Sequence, residues 1–186
     1  MNMVYLFLAD GFETIEALTV VDMLRRAKID IETVSINQTK EVKSAHNIIV
    51  MADKLLDEIK SNDAECYVLP GGIPGTPNLR ANETLMSMVK KQNEAGKYIA
   101  AICAAPAMIL ADLGITIGKK STVYPSFNDE VKNAGVNLIT DPAVVDGNII
   151  TGQGMGTAVQ FSKAIISELR DKDLAEQISD SICFRG

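Results

Sequence analysis

A chain of 186 residues has the length of one domain of ordinary size, and 47% hydrophobic with 23% charged residues is the composition of a globular protein that closes its own core. The net charge of −6 argues against a nucleic-acid partner, which needs clustered lysine and arginine. One histidine in the whole chain, His46, excludes zinc sites built on two or more histidines and leaves a Ser-His or Cys-His machine only that residue.

The first apolar run, Met3–Leu8, has no basic stretch before it and meets Asp10 at once, so it reads as a buried strand and not as a signal peptide. Asp10-Gly11 breaks it. Ile15, Leu18, Val21, Met23, Leu24 and Ala27 then recur at helical spacing, with Arg25, Arg26 and Lys28 at the end where cations suit the helix dipole. Residues 29–36 alternate as a second strand, 40–52 form a small β excursion around Ile48, Ile49 and Val50, and 55–60 read as a short helix. Strand 66–69 stops at Pro70-Gly71-Gly72. An amphipathic helix over 83–95 is closed by Gly96, strand Tyr98–Ile102 follows, and a helix over 105–113 is stopped by Gly114. The remainder predicts a strand at 122–124, a helix at 127–134, short strands at 136–139, 143–145 and 148–151, a long helix at 157–169 and a terminal one at 172–182. No membrane contact is expected: the longest uncharged apolar stretch, 98–111, is too short to span a bilayer and contains Pro106.

Strands alternating with helices imply right-handed crossovers and an α/β fold with a mostly parallel sheet, whose ligand site lies beyond the carboxyl ends of the strands. Several chemically suggestive segments follow strands on that edge. In Ala100-Ala101-Ile102-Cys103-Ala104-Ala105-Pro106 a buried strand runs straight into a helix with one reactive residue at the corner, the architecture of a nucleophile elbow. The helix end and its free N–H groups favour the thiolate, although a small buried core cysteine fits the same pattern. Pro70-Gly71-Gly72 offers unhindered N–H groups that can cradle an anion, or is an ordinary turn. Glu16, in the first turn of the first helix, is either a surface carboxylate answering the dipole or an acid and base held over the thiol, its pKa raised if desolvated. The turn at 152–156 reads as close packing near the site. His46, in the β excursion, reads as an exposed or interface residue. No cofactor is expected, because neither a Gly-x-Gly-x-x-Gly after the first strand nor a Gly-Lys-Ser is present, and no metal, because there is one histidine and the cysteines are widely spaced. The three cysteines, odd in number and widely spaced, make neither a disulfide framework nor a zinc knuckle, and read as reduced thiols of a cytoplasmic protein.

Gly11-Phe12-Glu13-Thr14-Ile15-Glu16-Ala17, Leu69-Pro70-Gly71-Gly72 and the Cys103 elbow, in that order, resemble the signature of the ThiJ/PfpI superfamily, closest to its Parkinson-disease-protein and protein-deglycase branch. The resemblance covers residues 3 to about 169 and implies a single domain over 1–186 with a flavodoxin-like three-layer sandwich. It implies Cys103 as elbow nucleophile, Glu16 as its protonated partner, and the N–H groups of Gly72 and Ala104 as the anion pocket, with Gly71 and Tyr124 auxiliary. It also implies a homodimer built on the first helix and the β excursion. The implied activity is glutathione-independent conversion of methylglyoxal to lactate, or removal of early glycation adducts from proteins, so the substrate is a small 2-oxoaldehyde or a glycated protein. A redox-sensing, oxidation-regulated chaperone using the same cysteine is the alternative; peptidase and thiamine-precursor roles are also attached to relatives. The peptidase branch places a histidine directly after its nucleophile, where this chain has Ala104, and the human-type deglycases have a histidine where this chain has Tyr124. Glu16 is thereby left to carry most of the proton transfer.

Overall fold

A strand covered by helices on both faces must be apolar at nearly every position. Met3–Leu8 meets that demand: Val4, Leu6 and Leu8 enter one core cluster, Tyr5 and Phe7 the other. The computed structural model describes residues 3–60 and 64–185. The chain forms β1 (Met3–Leu8), α1 (Thr14–Arg26), β2 (Ile31–Ser35), the antiparallel hairpin of β3 (Glu41–Lys43) and β4 (Ile49–Met51), β5 (Lys54–Leu55), β6 (Ala64–Leu69), α2 (Gly75–Ala81) and α3 (Glu83–Glu94). Then come β7 (Tyr98–Ile102), a π-helical segment (Pro106–Ala111), β8 (Lys120–Ser121), α4 (Asn128–Asn133), β9 (Asn137–Leu138), β10 (Ala143–Asp146), β11 (Ile149–Gly152), α5 (Ala158–Leu169) and α6 (Lys172–Ser181).

Among the described residues the central sheet has the order β10-β11-β7-β6-β1-β2-β5. Every pairing in it is parallel except β10 with β11. Leu6, Val68, Ala100 and Ile150 pack with Val20 and Leu24 of α1, Phe161 and Ile165 of α5, and Ala175 of α6. On the opposite face Phe7, Tyr67, Ile99 and Ala101 pack with Leu79, Leu85, Val89 and Ile109. The result is the expected three-layer α/β sandwich. Its principal strands β2-β1-β6-β7-β11 follow the flavodoxin-like order 2-1-3-4-5. After β2 the chain crosses to the other side of β1, so the switch point, where such sheets bind ligands, lies between the carboxyl ends of β1 and β6. No helix among the described residues is long and apolar enough to cross a membrane.

Four segments differ from the sequence expectations. Residues 75–81, for which no helix is predicted, form α2: Pro77 sits in the first helical turn, where its missing N–H removes no intrahelical bond, and Leu79 is buried. Residues 55–60 supply only the end of β5 and a single 3-10 turn (Leu56–Glu58), because Glu58 accepts the Leu55 N–H at 2.6 Å and pairs with Lys40 instead of continuing a helix. Residues 122–124 are not a strand. Thr122 donates its N–H to Thr151 Oγ1 at 3.0 Å and Tyr124 donates to the Cys103 carbonyl at 2.9 Å, and the short ladder there is instead Lys120–Ser121 with Asn137–Leu138. The helix after Cys103 is wound as a π-helix over Pro106–Ala111, with Asp112 donating five residues back to Ala107.

Candidate active site

Cys103 follows β7 directly, with φ of +66°, a left-handed conformation that costs an L-residue about 1–2 kcal/mol. The turn is fixed on both sides: its N–H donates to the Gly152 carbonyl at 3.0 Å, and its own carbonyl accepts the Tyr124 N–H. Buried Ala101, Ala104 and Ala105 let the strand meet the helix without bulk. This is the elbow read from the sequence, and the side chain is half-buried at the edge of the core, not enclosed in it.

Glu16 reaches the same place from β1. Glu13 caps α1 by accepting the Glu16 N–H at 2.7 Å, which makes Glu13 a structural cap. At the third residue of the helix, the Glu16 side chain turns inward and is 1% exposed. Its Oε2 accepts the Gly71 N–H at 2.8 Å, while Glu13 donates its N–H to the Gly71 carbonyl at 2.9 Å. The loops after β1 and β6 are thus clasped across the switch point. Gly71 has to be glycine: a Cβ there would lie 2.6 Å from both Cys103 Cβ and Glu16 Oε2, and 3.0 Å from Cys103 Sγ. Gly72 adopts φ of +99°, and a Cβ on it would meet the Glu13 nitrogen and Gly11 oxygen at 2.4 Å.

The thiol and the carboxyl face one another. Burial raises Glu16 to about 7, above its ordinary 4.5, against the opposing hydrogen bonds of Cys103 and Gly71 and the nearby Met155 backbone. Burial also pushes the Cys103 thiol up to about 12, reinforced by the Glu16 charge and hydrogen bond. The N–H groups of Ala104 and Gly72 both point at the sulfur and work in the opposite direction. The sequence expectation of a thiol lowered by its helix end is therefore corrected: the donors are in place, but with Glu16 ionised, desolvation and its charge outweigh them. The pair titrates as a unit around one shared proton. Once Glu16 is neutral its repulsion vanishes and it donates to sulfur, the arrangement in which a thiolate is tolerated.

The structure brings together Cys103, Glu16, Gly71, Gly72 and Ala104. Tyr124 is tied to the site through its backbone, and its side chain is 47% exposed. His46 lies exposed in the β3–β4 turn and is not among the groups facing Cys103 or Glu16. The group that sequence reasoning missed is the Met155 backbone, which lies near the Glu16 carboxyl and works to lower its pKa, while Glu16 Oε1 stays buried without a hydrogen-bond partner. Its only sequence signal was the glycine-rich turn after the last strand, whose role is more than packing. Among the described residues, no group of three or more His, Cys, Asp or Glu side chains is arranged to hold a metal ion.

Residues 2–168 match the DJ-1/PfpI family model. The chain belongs to the DJ-1/PfpI family. Protein DJ-1 homolog A of Arabidopsis thaliana is 36% identical over 178 residues, 96% of this chain but only 45% of that protein, so this chain spans less than half of it. Deglycase TK1284 of Thermococcus kodakarensis is 32% identical over 163 residues, covering 87% of this chain and 96% of that one. The solved structure of oxidized Toxoplasma gondii DJ-1 superposes over the full length of both chains with a TM-score of 0.94 at 32% identity.

Proposed function

We propose that this protein is a cysteine-dependent glyoxalase and protein deglycase of carbonyl and oxidative stress defence, using Cys103 as nucleophile and Glu16 as acid and base. The observation that carries the reading is Glu16: a carboxyl raised to about 7, held against an elbow thiol, is poised to exchange protons at neutral pH. The kinship with a deglycase supports it. Glu16 takes the thiol proton as sulfur bonds to the aldehyde carbon of a 2-oxoaldehyde. The carbonyl electron pair moves to oxygen, held by the Gly72 and Ala104 N–H groups, and Glu16 returns the proton to give a hemithioacetal. Glu16 then removes the proton from the aldehyde-derived carbon and delivers it to the neighbouring carbon, while the hydroxyl proton passes to the adjacent oxygen, leaving a thioester. Water cleaves the carbon–sulfur bond, the thiol recovers its proton and the 2-hydroxyacid leaves. The sum is methylglyoxal plus water to lactate, with no oxidant or cofactor. In deglycation the aldehyde carbon is already bound to an amine as a hemiaminal: sulfur replaces nitrogen on that carbon, the C–N bond breaks, the proton from the thiol passes through Glu16 to the departing amine, and the same hemithioacetal results.

The test is lactate formation from methylglyoxal by wild type, Cys103→Ala and Glu16→Gln. Both substitutions are expected to abolish it, and full activity in either refutes the mechanism. A redox-sensing chaperone is the second reading, favoured by the half-exposed Cys103 flanked by two N–H donors, which suits a sulfinate as well as an oxyanion. A homodimer fits Ile15 on α1 with Ile48, Ile49 and Met51 on the hairpin, all 48–65% exposed. The three free cysteines fit a reducing, cytoplasmic setting.

A further inference from the structure

A cleft of about 300 Å³ is lined by Tyr124, Pro125, Gln153, Gly154, Met155 and Thr157, and reaches the Cys103 elbow through the Tyr124 backbone. The cleft is tethered to the elbow: Tyr124 donates its N–H to the Cys103 carbonyl at 2.9 Å. Met155, on the same cleft, has its backbone near the Glu16 carboxyl, whose Oε1 is buried without a hydrogen-bond partner. The Tyr124 ring lies along the backbone of Gly154, where a Cβ would sit 3.2 Å from ring carbon Cδ2. Tyr124 and Met155 nonetheless stay 47% and 54% exposed. Two large side chains therefore hold apolar surface in water close to the elbow, surface that an apolar ligand group would cover. No charged side chain lines this cleft, so it offers nothing to an ammonium or guanidinium group. A methyl group leaves most of it empty, whereas a cavity of about 150 Å³ already accepts benzene.

We propose that this cleft is a subsite for a flat aromatic substituent on the aldehyde, making aryl 2-oxoaldehydes better substrates than methylglyoxal, with the Tyr124 ring as the specificity-determining group. The proposal rests on the glyoxalase reading and extends it to substrate choice. The Tyr124 ring and the Met155 thioether sandwich the aryl group, and the aldehyde carbon projects toward Cys103.

Two measurements separate this proposal from the reading it rests on. The first compares kcat/KM for phenylglyoxal and methylglyoxal. The second needs no turnover: the corresponding 2-hydroxyacids, mandelate and lactate, compete with iodoacetamide for Cys103. They share the carboxylate and hydroxyl and differ in phenyl against methyl. Mandelate is expected to protect at a concentration about tenfold below lactate, in the range that apolar pocket contacts give. Tyr124→Phe retains the preference and Tyr124→Ala reduces it to within about twofold; Met155→Ala, an exposed truncation, weakens it independently. Equal protection by the two acids, or a preference unchanged in Tyr124→Ala, overturns the subsite. Mandelate-selective protection without turnover of either aldehyde supports the subsite and refutes the glyoxalase reading. Equal turnover of both aldehydes with equal protection does the reverse.

Discussion

Replacing Glu16 by glutamine is expected to stabilise the fold relative to wild type at neutral and alkaline pH, and not at acid pH. The folded protein holds the Glu16 proton up to about 7, whereas the unfolded chain releases it near 4.5. Between those values the native state binds more protons than the unfolded state, so wild-type stability falls as pH rises, by about 1.4 kcal/mol per pH unit and about 3 kcal/mol across the window. Below pH 4.5 that contribution is fully present, and above 7 it is gone. Glutamine keeps the shape and can still accept the Gly71 N–H, yet carries no charge to desolvate. Urea denaturation of wild type and Glu16→Gln at fixed protein concentration, at pH 4 and pH 8, reads the effect as a difference of differences. The variant should gain about 3 kcal/mol on wild type between the two pH values. Asp53 and Glu58, held below their ordinary values by Thr33 and by Leu55 with Lys40, contribute on the acid side and cancel in the comparison. A wild-type-to-variant difference that stays constant within about 0.5 kcal/mol would mean that Glu16 is not desolvated, and the account of the site fails with it.

Gly71→Ala should lower stability by about 1–3 kcal/mol by overpacking and separate Cys103 from Glu16, seen as loss of lactate formation together with a changed pH profile of iodoacetamide reaction; an unchanged profile refutes the close approach. Mild peroxide should add two oxygens to Cys103 while fully buried Cys66 stays reduced, as peptide mass spectrometry would show. Equal oxidation of Cys66 and Cys103 would remove the case for a tuned site. Ile49→Glu with Met51→Lys should convert a dimer to monomers in sedimentation velocity; an unaltered dimer would place the interface elsewhere.

The elbow was legible because its signal is local. An apolar strand, small residues at the corner, one thiol and Pro106 occupy seven consecutive positions, and each type has a reason to be there. The layered sheet was equally legible, since β1, β7 and α1 carry their periodicity in their own residues. Helix α2 was hidden because glycine and proline at 75 and 77 disguise a helix start as a turn, and its stability comes from Leu79 packing under the sheet. The extended 122–124 segment was mistaken for a strand because its local pattern is the same whether its N–H groups meet a ladder or meet Thr151 and Cys103.

The sequence by itself therefore determined the fold class, the cysteine at the strand-to-helix corner and the glycine-rich turns on one edge, because composition and period act along the chain. It could name Glu16 but could not choose between a surface carboxylate and a buried acid. That choice belongs to the tertiary structure. Only when the loops after β1 and β6 close on each other does Gly71 deliver its N–H, leave room for the sulfur and strip water from the carboxyl. The same closure reversed the expectation for Cys103, since desolvation and a facing charge outweigh a helix end. It also brought the Met155 backbone near Glu16 from a turn more than 130 residues away in the chain. A pKa depends on what surrounds a group in space, and the surroundings of Glu16 and Cys103 exist only after the sheet has assembled.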